Sequence, residues 1–275
     1  MLRFIQQAAR RTAELIGREA AIIRLLRPRY EQLLAIASAG RGIPWEINGD
    51  TYRVDPRHRH RLGAEYDAPV AAFLRERVRP GAVCIDVGAN VGVYVLQFAR
   101  WAGDEGRVVA FEPNPAARLV LERHVKLNHL THRVSVVAAA VGAVAGEGVL
   151  FTCGADGMSR LAEPNDELQG AVTPIVVPVV TLDDHCRTAG IQPDWLLIDV
   201  EGFEIAVLEG ARELIRSRGR ALGLVVEMHA RVWSSAGTSR ARAESLLHDL
   251  RLRPVALTGQ SDPLADHGLV YLEHV

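Results

Sequence analysis

The chain has 275 residues, 48% of them hydrophobic, enough for one large core with at most a small appendage. Its 32 basic and 33 acidic residues give a formal net charge of −1, which excludes a global field that would gather nucleic acid or an anionic membrane. Cys84, Cys153 and Cys186 are odd in number and widely spaced, against a disulfide framework or zinc ribbon, and no apolar run reaches the ~18 residues of a membrane span. A soluble, cytoplasmic protein is expected.

Residues 2 to about 38 carry helical periodicity, interrupted near Pro28, with Phe4, Ile5, Ala8, Ala9 and Ala13 as an apolar stripe. Seven arginines against three glutamates make this stretch basic, and it lacks the continuous apolar core of a secretory signal. Such a helix packs on the main domain, on a second copy of the chain as a homo-oligomer, or peripherally on a membrane. "IPWEINGDTYRV" follows, two alternating runs around Asn48-Gly49, so residues 43–54 are expected to be a β-hairpin. "PRHRHRLG" sets three arginines and two histidines close together, as a solvated loop or as a contact for a phosphate or an anionic substrate. Residues 1–62 therefore read as an appendage of helices and hairpin, and residues 63–275 as the main domain.

A helix from Glu65 to Val78 leads to "RPGA", and then strand and helix alternate: strand 83–87, helix 91–101, strand 108–112, helix 115–127, strand 134–137. Residues 147–180 are less regular, with "GVLFTC" and "TPIVVPVV" as strands around a loop containing Met158, Ser159 and Arg160. The rhythm resumes with strand 195–199, helix 203–217, strand 223–229 and helix 239–250, and two last apolar stretches, 254–257 and 268–272, suit an antiparallel edge pair. The pattern is that of an α/β protein with a mostly parallel central sheet, helices on both faces and an antiparallel edge.

"CIDVGANVGVYVLQFAR" ends a strand at Asp86-Val87 and opens a helix through Gly88, Asn90 and Gly92. A dinucleotide turn needs G-x-G-x-x-G, so that pyrophosphate can approach the backbone. Here Asn90 takes the second glycine's place, where its amide serves a smaller polar ligand, and the helix start suits one carboxylate. "RVVAFEPNP" places Glu112 at the tip of the next parallel strand, 24 residues after Gly88, where a carboxylate accepts hydrogen bonds from both ribose hydroxyls or else caps the following helix. Ribose and a carboxylate without phosphate point to S-adenosylmethionine.

"DVGANVG", "AFEPNP", "VTLDD" and "IDVEGFEIAVLEGA" occur in this order, and from about Glu65 to His229 the chain resembles the FkbM family of S-adenosylmethionine-dependent methyltransferases. The D-V-G-A-N-x-G turn alone marks only Rossmann-like methyltransferases, whereas D-V-E-G-x-E followed by V-L-x-G-A is similar to this family in particular. The resemblance implies a Rossmann-like class I methyltransferase fold and S-adenosylmethionine as methyl donor. It implies Asp86, Gly88, Asn90 and Gly92 at the methionine end, Glu112 at the ribose, and Asn114 with Ala139 or Ala140 at the adenine. It also implies transfer to a hydroxyl of a small sugar or polyketide/glycolipid-type acceptor. Family members often carry a lysine two residues before the aspartate of D-V-E-G; this chain has Leu197 there.

Asp199, Glu201 and Glu204 crowd three acids into six residues with no cation in sequence before Arg212. Asp199, at the carboxyl end of its strand, lies where the ligand crevice of an open α/β sheet forms, placed to take or orient the proton of an attacking hydroxyl. Helix capping is the competing reading for Asp199, and the positive end of the helix near Phe203 for Glu201 and Glu204. Glu227 and His229, two residues apart on the next strand, face one side and reach the same pocket mouth. Glu201 and Arg160 are candidates for substrate contact. Asp199, Glu227 and His229 also offer ligands to a divalent metal, but no spacing is diagnostic and none is assigned. An N- or carboxyl-methyltransferase, a non-catalytic scaffold that binds S-adenosylmethionine or a membrane, and an NAD oxidoreductase remain as alternatives.

Overall fold

The computed structural model describes residues 21–154, 159–161 and 171–275. Residues 2–20 of the expected first helix and Met158 of the irregular loop lie outside the described residues. Helix α1 (Ala21–Ala37) runs through Pro28 without the expected interruption. A proline removes one N–H and crowds one carbonyl, and tertiary packing offsets the loss: Leu34 is fully buried with residues of the hairpin that follows.

Strands β1 (Ile43–Ile47) and β2 (Asp50–Val54) pair antiparallel around Asn48 and Gly49, which sit at φ 48° and 82° as a tight hairpin turn requires. Ile43, Ile47 and Val54 are buried in the same cluster as the central sheet's helices, so hairpin and sheet share a core. Helix α2 (Ala68–Arg77) leads to β3 (Val83–Val87), α3 (Val93–Trp101), β4 (Arg107–Phe111), α4 (Pro115–Leu127) and β5 (Val134–Val137). Asn114 starts α4 by accepting the Ala116 N–H at 2.9 Å, with Pro115 at the first helical position, where its missing N–H costs nothing.

Both strands expected in the irregular segment are present, joined by two short ones. Strands β6 (Ala140–Val141), β7 (Gly146–Thr152), β8 (Arg160–Leu161) and β9 (Thr173–Val180) form a small sheet in the order β6-β9-β7-β8. Helix α5 (Leu182–Ala189), absent from the sequence reading, begins at Thr181, whose hydroxyl accepts the Asp184 N–H.

Strand β10 (Trp195–Ile198) is followed by two helices, α6 (Glu204–Glu209) and α7 (Arg212–Arg218), where a single one was expected. The break has a cause. Gly210 lies so close to Gly142 that a Cβ would overlap the Gly142 carbonyl, and its own carbonyl accepts the Asp183 N–H. The Asp183 carboxylate in turn accepts the N–H groups of Glu213 and Leu214, restarting the helix. Strand β11 (Gly223–Met228), helix α8 (Arg240–Asp249) and strands β12 (Leu252–Ala256) and β13 (Gly268–His274) complete the chain.

The main sheet has the order β12-β13-β11-β10-β3-β4-β5, every neighbouring pair parallel except those of β13, which runs antiparallel to β11 and β12. The fold is thus α/β with a mostly parallel sheet and the antiparallel edge expected. The central strands are buried almost throughout because helices cover both faces: α2, α3 and α4 with the hairpin on one, α5 to α8 on the other. Strand order reverses between β3 and β10, so the connections leaving their carboxyl ends run to opposite faces of the sheet and a crevice forms outside those ends. Among the described residues no helix is long and apolar enough to cross a membrane.

Candidate active site

The turn after β3 is built for close approach. Gly88, Asn90 and Gly92 all have positive φ, at 88°, 48° and 90°, and a Cβ on Gly88 would overlap the backbone carbonyl of Asp199 at the end of β10. These left-handed residues delay α3 to Val93, two residues later than its apolar pattern indicates. The N–H groups of Gly88 and Ala89 both bond the Phe111 carbonyl, tying the turn to β4. Glu112 then accepts the Asn90 N–H on Oε2 and the Asn114 N–H on Oε1, each at 2.7 Å.

Burial pushes the Glu112 carboxyl up to about 7, against the pull of the Asn114 and Asn90 N–H groups and the more distant Arg118 and Arg61. Burial, helped by the charge of Glu112, lifts Asp86 to about 8. Each Glu112 oxygen keeps a lone pair beyond its backbone bond, and Asn90 Oδ1 is buried with no hydrogen-bond partner among the described residues. Polar capacity is thus left unused at one spot.

That spot is a cleft of about 620 Å³, counting the space open at its mouth, between the ends of β3, β4 and β10 and the small sheet. Gly88, Asn90, Glu112, Ala139, Ala140, Asp199 and Glu201 line it, with Leu150 and Leu161 of the small sheet forming an apolar wall. Asn114 does not line it. Its side chain caps α4 and donates to the Gly154 carbonyl and the Ser159 hydroxyl.

On the β10 side the three acids separate into different roles. Glu204 is wholly buried and accepts three hydrogen bonds: from Gly202 N–H at 2.7 Å and His229 Nδ1–H at 2.6 Å on Oε1, and from Trp233 Nε1–H at 2.9 Å on Oε2. It is no solvated residue at a helix start. With Nδ1 engaged, His229 turns Nε2 toward Asp199 Oδ1 at 4.0 Å and Glu201 Oε2 at 3.8 Å. Burial works against a charged ring, but the bond to Glu204 and the charges of Glu204, Asp199 and Glu201 prevail and push His229 up to about 10.

Asp199 is raised well above the usual carboxylate range by burial and by Glu227, with His229 opposing. Glu201 is raised by burial, eased by His229 and by nearby Arg160. Glu201 adopts φ 47°, a left-handed conformation unusual for its type, and Gly202 follows at φ 104° under Val232. Strain is therefore concentrated in the turn that presents the acids.

Glu227 sits beside the cluster rather than on the cleft lining, its carboxylate 2.9 Å from Nε2 of His267, whose ring stacks edge-on to His229. Arg160 is buried on β8, its Nε without a hydrogen-bond partner among the described residues. Asp199, Glu201 and His229 bring ligand atoms within 4.8 Å of one another, as do Glu227, His229 and His267. Trp233 and His267 were not singled out from sequence, and Glu204 read there only as an acid at a helix start. An acid two residues after Gly202, at a helix start, gives no sign of burial until the tryptophan and histidine that bond it are known.

Comparison with known proteins places these features. Residues 86–253 match the Methyltransferase FkbM domain, from the glycine turn through β12. The methyltransferase sdnD of Sordaria araneosa is 29% identical over 196 residues, covering 60% of this chain and 71% of that protein. Among solved structures, a methyltransferase FkbM from Methylobacillus flagellatus aligns with 15% identity and a TM-score of 0.46. The alignment covers 89% of this chain and 59% of that one, so the chain spans less than two thirds of that protein's length. Aeropyrum pernix fibrillarin, solved with S-adenosyl-L-methionine, aligns with 15% identity and a TM-score of 0.42 over 84% of this chain and 82% of its own. The glycine turn, the acidic tip of β4 and the D-V-E-G-F-E turn all fall within the matched span, and the chain belongs to the FkbM family of methyltransferases.

Proposed function

We propose that this methyltransferase moves the methyl group of S-adenosylmethionine to a hydroxyl oxygen of a small sugar- or polyketide-type acceptor. The observation that carries the reading is the Glu204–His229–Asp199 arrangement at the edge of the cleft: a fully buried carboxylate fixes the ring, and the ring's free nitrogen faces an acid that lines the cavity.

The cleft suits the donor. Glu112 offers oxygen lone pairs for a ribose diol, Asn90 Oδ1 offers a buried acceptor lacking a donor, and Ala139 and Ala140 give a small apolar surface for a flat base. Asp86 and the left-handed turn from Gly88 to Gly92 border the amino-acid end. Asn114 contributes by fixing α4 and the loop at Gly154 rather than by contact.

The donor brings a carbon already activated by its sulfonium, so the chain's own work is alignment and proton removal. An alcohol loses its proton as the new C–O bond forms, and Asp199, its carboxyl raised above the usual carboxylate range by burial and by Glu227, is in its ionised form a stronger base than an ordinary carboxylate. His229, held charged beside it, balances the acids and keeps Asp199 in place. Asp199 and Glu201, side by side at the cleft, give acceptors for neighbouring hydroxyls of a polyol, with Arg160 near enough to Glu201 to ease its charge. Glu227 orders His267 against His229.

Turnover of hydroxylated acceptors by Asp199→Asn tests this. Loss of the base should lower kcat by about 10²–10⁴-fold while S-adenosylhomocysteine binds within about threefold of wild type. Unchanged turnover of those acceptors would refute Asp199 as the base.

A further inference from the structure

A second, smaller cavity adjoins the cleft and shares Gly88, Asn90 and Asp199 with it. It occupies about 340 Å³, counting its open mouth, and its other polar wall is made of Arg61, Tyr66, Asp86 and Tyr94. Its position continues the cleft away from Glu112. If ribose binds at Glu112, the far end of the donor, an amino acid carrying both an ammonium and a carboxylate, falls in this second cavity.

An amino-acid zwitterion needs acids for its ammonium and a cation or N–H groups for its carboxylate. Asp86 supplies the acid. Among the described residues lining the two cavities, Arg61 is the one cation, and position 197, pointing into the same space, is apolar leucine. We propose that Arg61 binds the α-carboxylate of the methyl donor, so that the segment preceding the family-matched region completes the donor site. The inference rests on the S-adenosylmethionine reading above.

The chain fixes Arg61 in place. It closes a short 3-10 turn at Arg59–Arg61, and the next residue, Leu62, is fully buried and accepts Trp45 Nε1–H at 2.6 Å through its carbonyl. Asn48, at the tip of the β1–β2 hairpin, holds the other side: its amide donates to the Tyr66 carbonyl at 2.7 Å and to Gln97 Oε1 at 2.9 Å, and its carbonyl accepts Tyr66 N–H at 3.0 Å. The hairpin therefore clamps residues 61–66 against α3, which starts at the glycine turn. The backbone that carries Arg61 is thereby preorganised beside the cavity, so that only the side chain itself has to order when a carboxylate arrives.

The test compares two ligands on the full chain by calorimetry: S-adenosylhomocysteine and its decarboxylated analogue, which keeps adenosine, sulfur and amine. Wild type should prefer S-adenosylhomocysteine by about 10–100-fold, the range for a charge-assisted hydrogen bond. Arg61→Ala should erase the preference, binding both ligands about as weakly as wild type binds the analogue, and Arg61→Lys should restore part of it. Equal binding of the two ligands by wild type, or an intact preference in Arg61→Ala, would overturn the assignment. If Arg61→Ala does not fold, wild type against Arg61→Lys still decides, because the bidentate fork predicts a smaller preference in the lysine variant and an unchanged one refutes it. Failure of wild type to bind either ligand would instead sink the S-adenosylmethionine reading itself.

Discussion

Replacing Glu204 by glutamine keeps the volume of a wholly buried side chain while removing its charge, and so isolates what the carboxylate does. In the native protein both oxygens accept, from Gly202 and His229 on one and from Trp233 on the other. A glutamine has one accepting oxygen, so its amide must face either the indole N–H or the other two donors. With the oxygen kept toward His229, the change forfeits a charged hydrogen bond of about 1.5–3 kcal/mol and leaves the indole N–H unpaired at about 1–3 kcal/mol, together about 2.5–6 kcal/mol. The pH dependence should change as well. A histidine raised to about 10 in the folded state, from an ordinary 6.5, contributes stability that is complete below pH 6.5 and is lost as the pH rises through about 10. Urea unfolding of wild type should therefore show declining stability between pH 7 and 10, and Glu204→Gln a much flatter profile over that window. A destabilisation below about 1 kcal/mol at pH 7, or parallel profiles from pH 7 to 10, would refute the orienting role of Glu204.

Gly88→Ala should destabilise by roughly 2–4 kcal/mol in thermal or urea unfolding, since a left-handed alanine costs about 1–2 kcal/mol and its Cβ meets the Asp199 carbonyl; a neutral substitution would mean the two turns are not in close contact. Trp233→Phe removes one donor from a buried carboxylate and should cost about 1–3 kcal/mol, with the fall in stability above pH 7 retained because His229 keeps its bond to Glu204. Asn90→Ala deletes an acceptor with no donor among the described residues, so it should cost no more than the about 1–2 kcal/mol of a left-handed alanine and weaken S-adenosylhomocysteine binding by about tenfold, measured by calorimetry.

What was legible in the sequence follows from what one-dimensional patterns carry. Strands buried on both faces appear as largely apolar runs, so β3 and β10 fell within a residue of their expected bounds, and the Asn48-Gly49 hairpin followed from turn chemistry alone. Helix α5 was missed because only Leu182 and Cys186 are buried on it, too few for a periodic signal. The break between α6 and α7 depends on Gly210 lying against Gly142, a contact no local pattern encodes. The same distinction holds at the candidate site. Gly88, Asn90, Glu112 and Asp199 announce themselves as exceptions at strand ends, whereas Glu204 depends on His229 and Trp233, and Arg61 on a hairpin and a helix. The basic run at residues 57–61 read either as a solvated loop or as an anion contact, and nothing in the sequence chose between them because its relation to the glycine turn exists only in three dimensions.

The most direct test of the central claim is calorimetric titration of the folded protein with S-adenosylhomocysteine and, separately, with NADH, repeated on Glu112→Ala. The account predicts saturable binding of S-adenosylhomocysteine, none of NADH, and a loss of about 1–3 kcal/mol when the Glu112 carboxylate is removed. Tight NADH binding, or no S-adenosylhomocysteine binding by folded wild type, would contradict it.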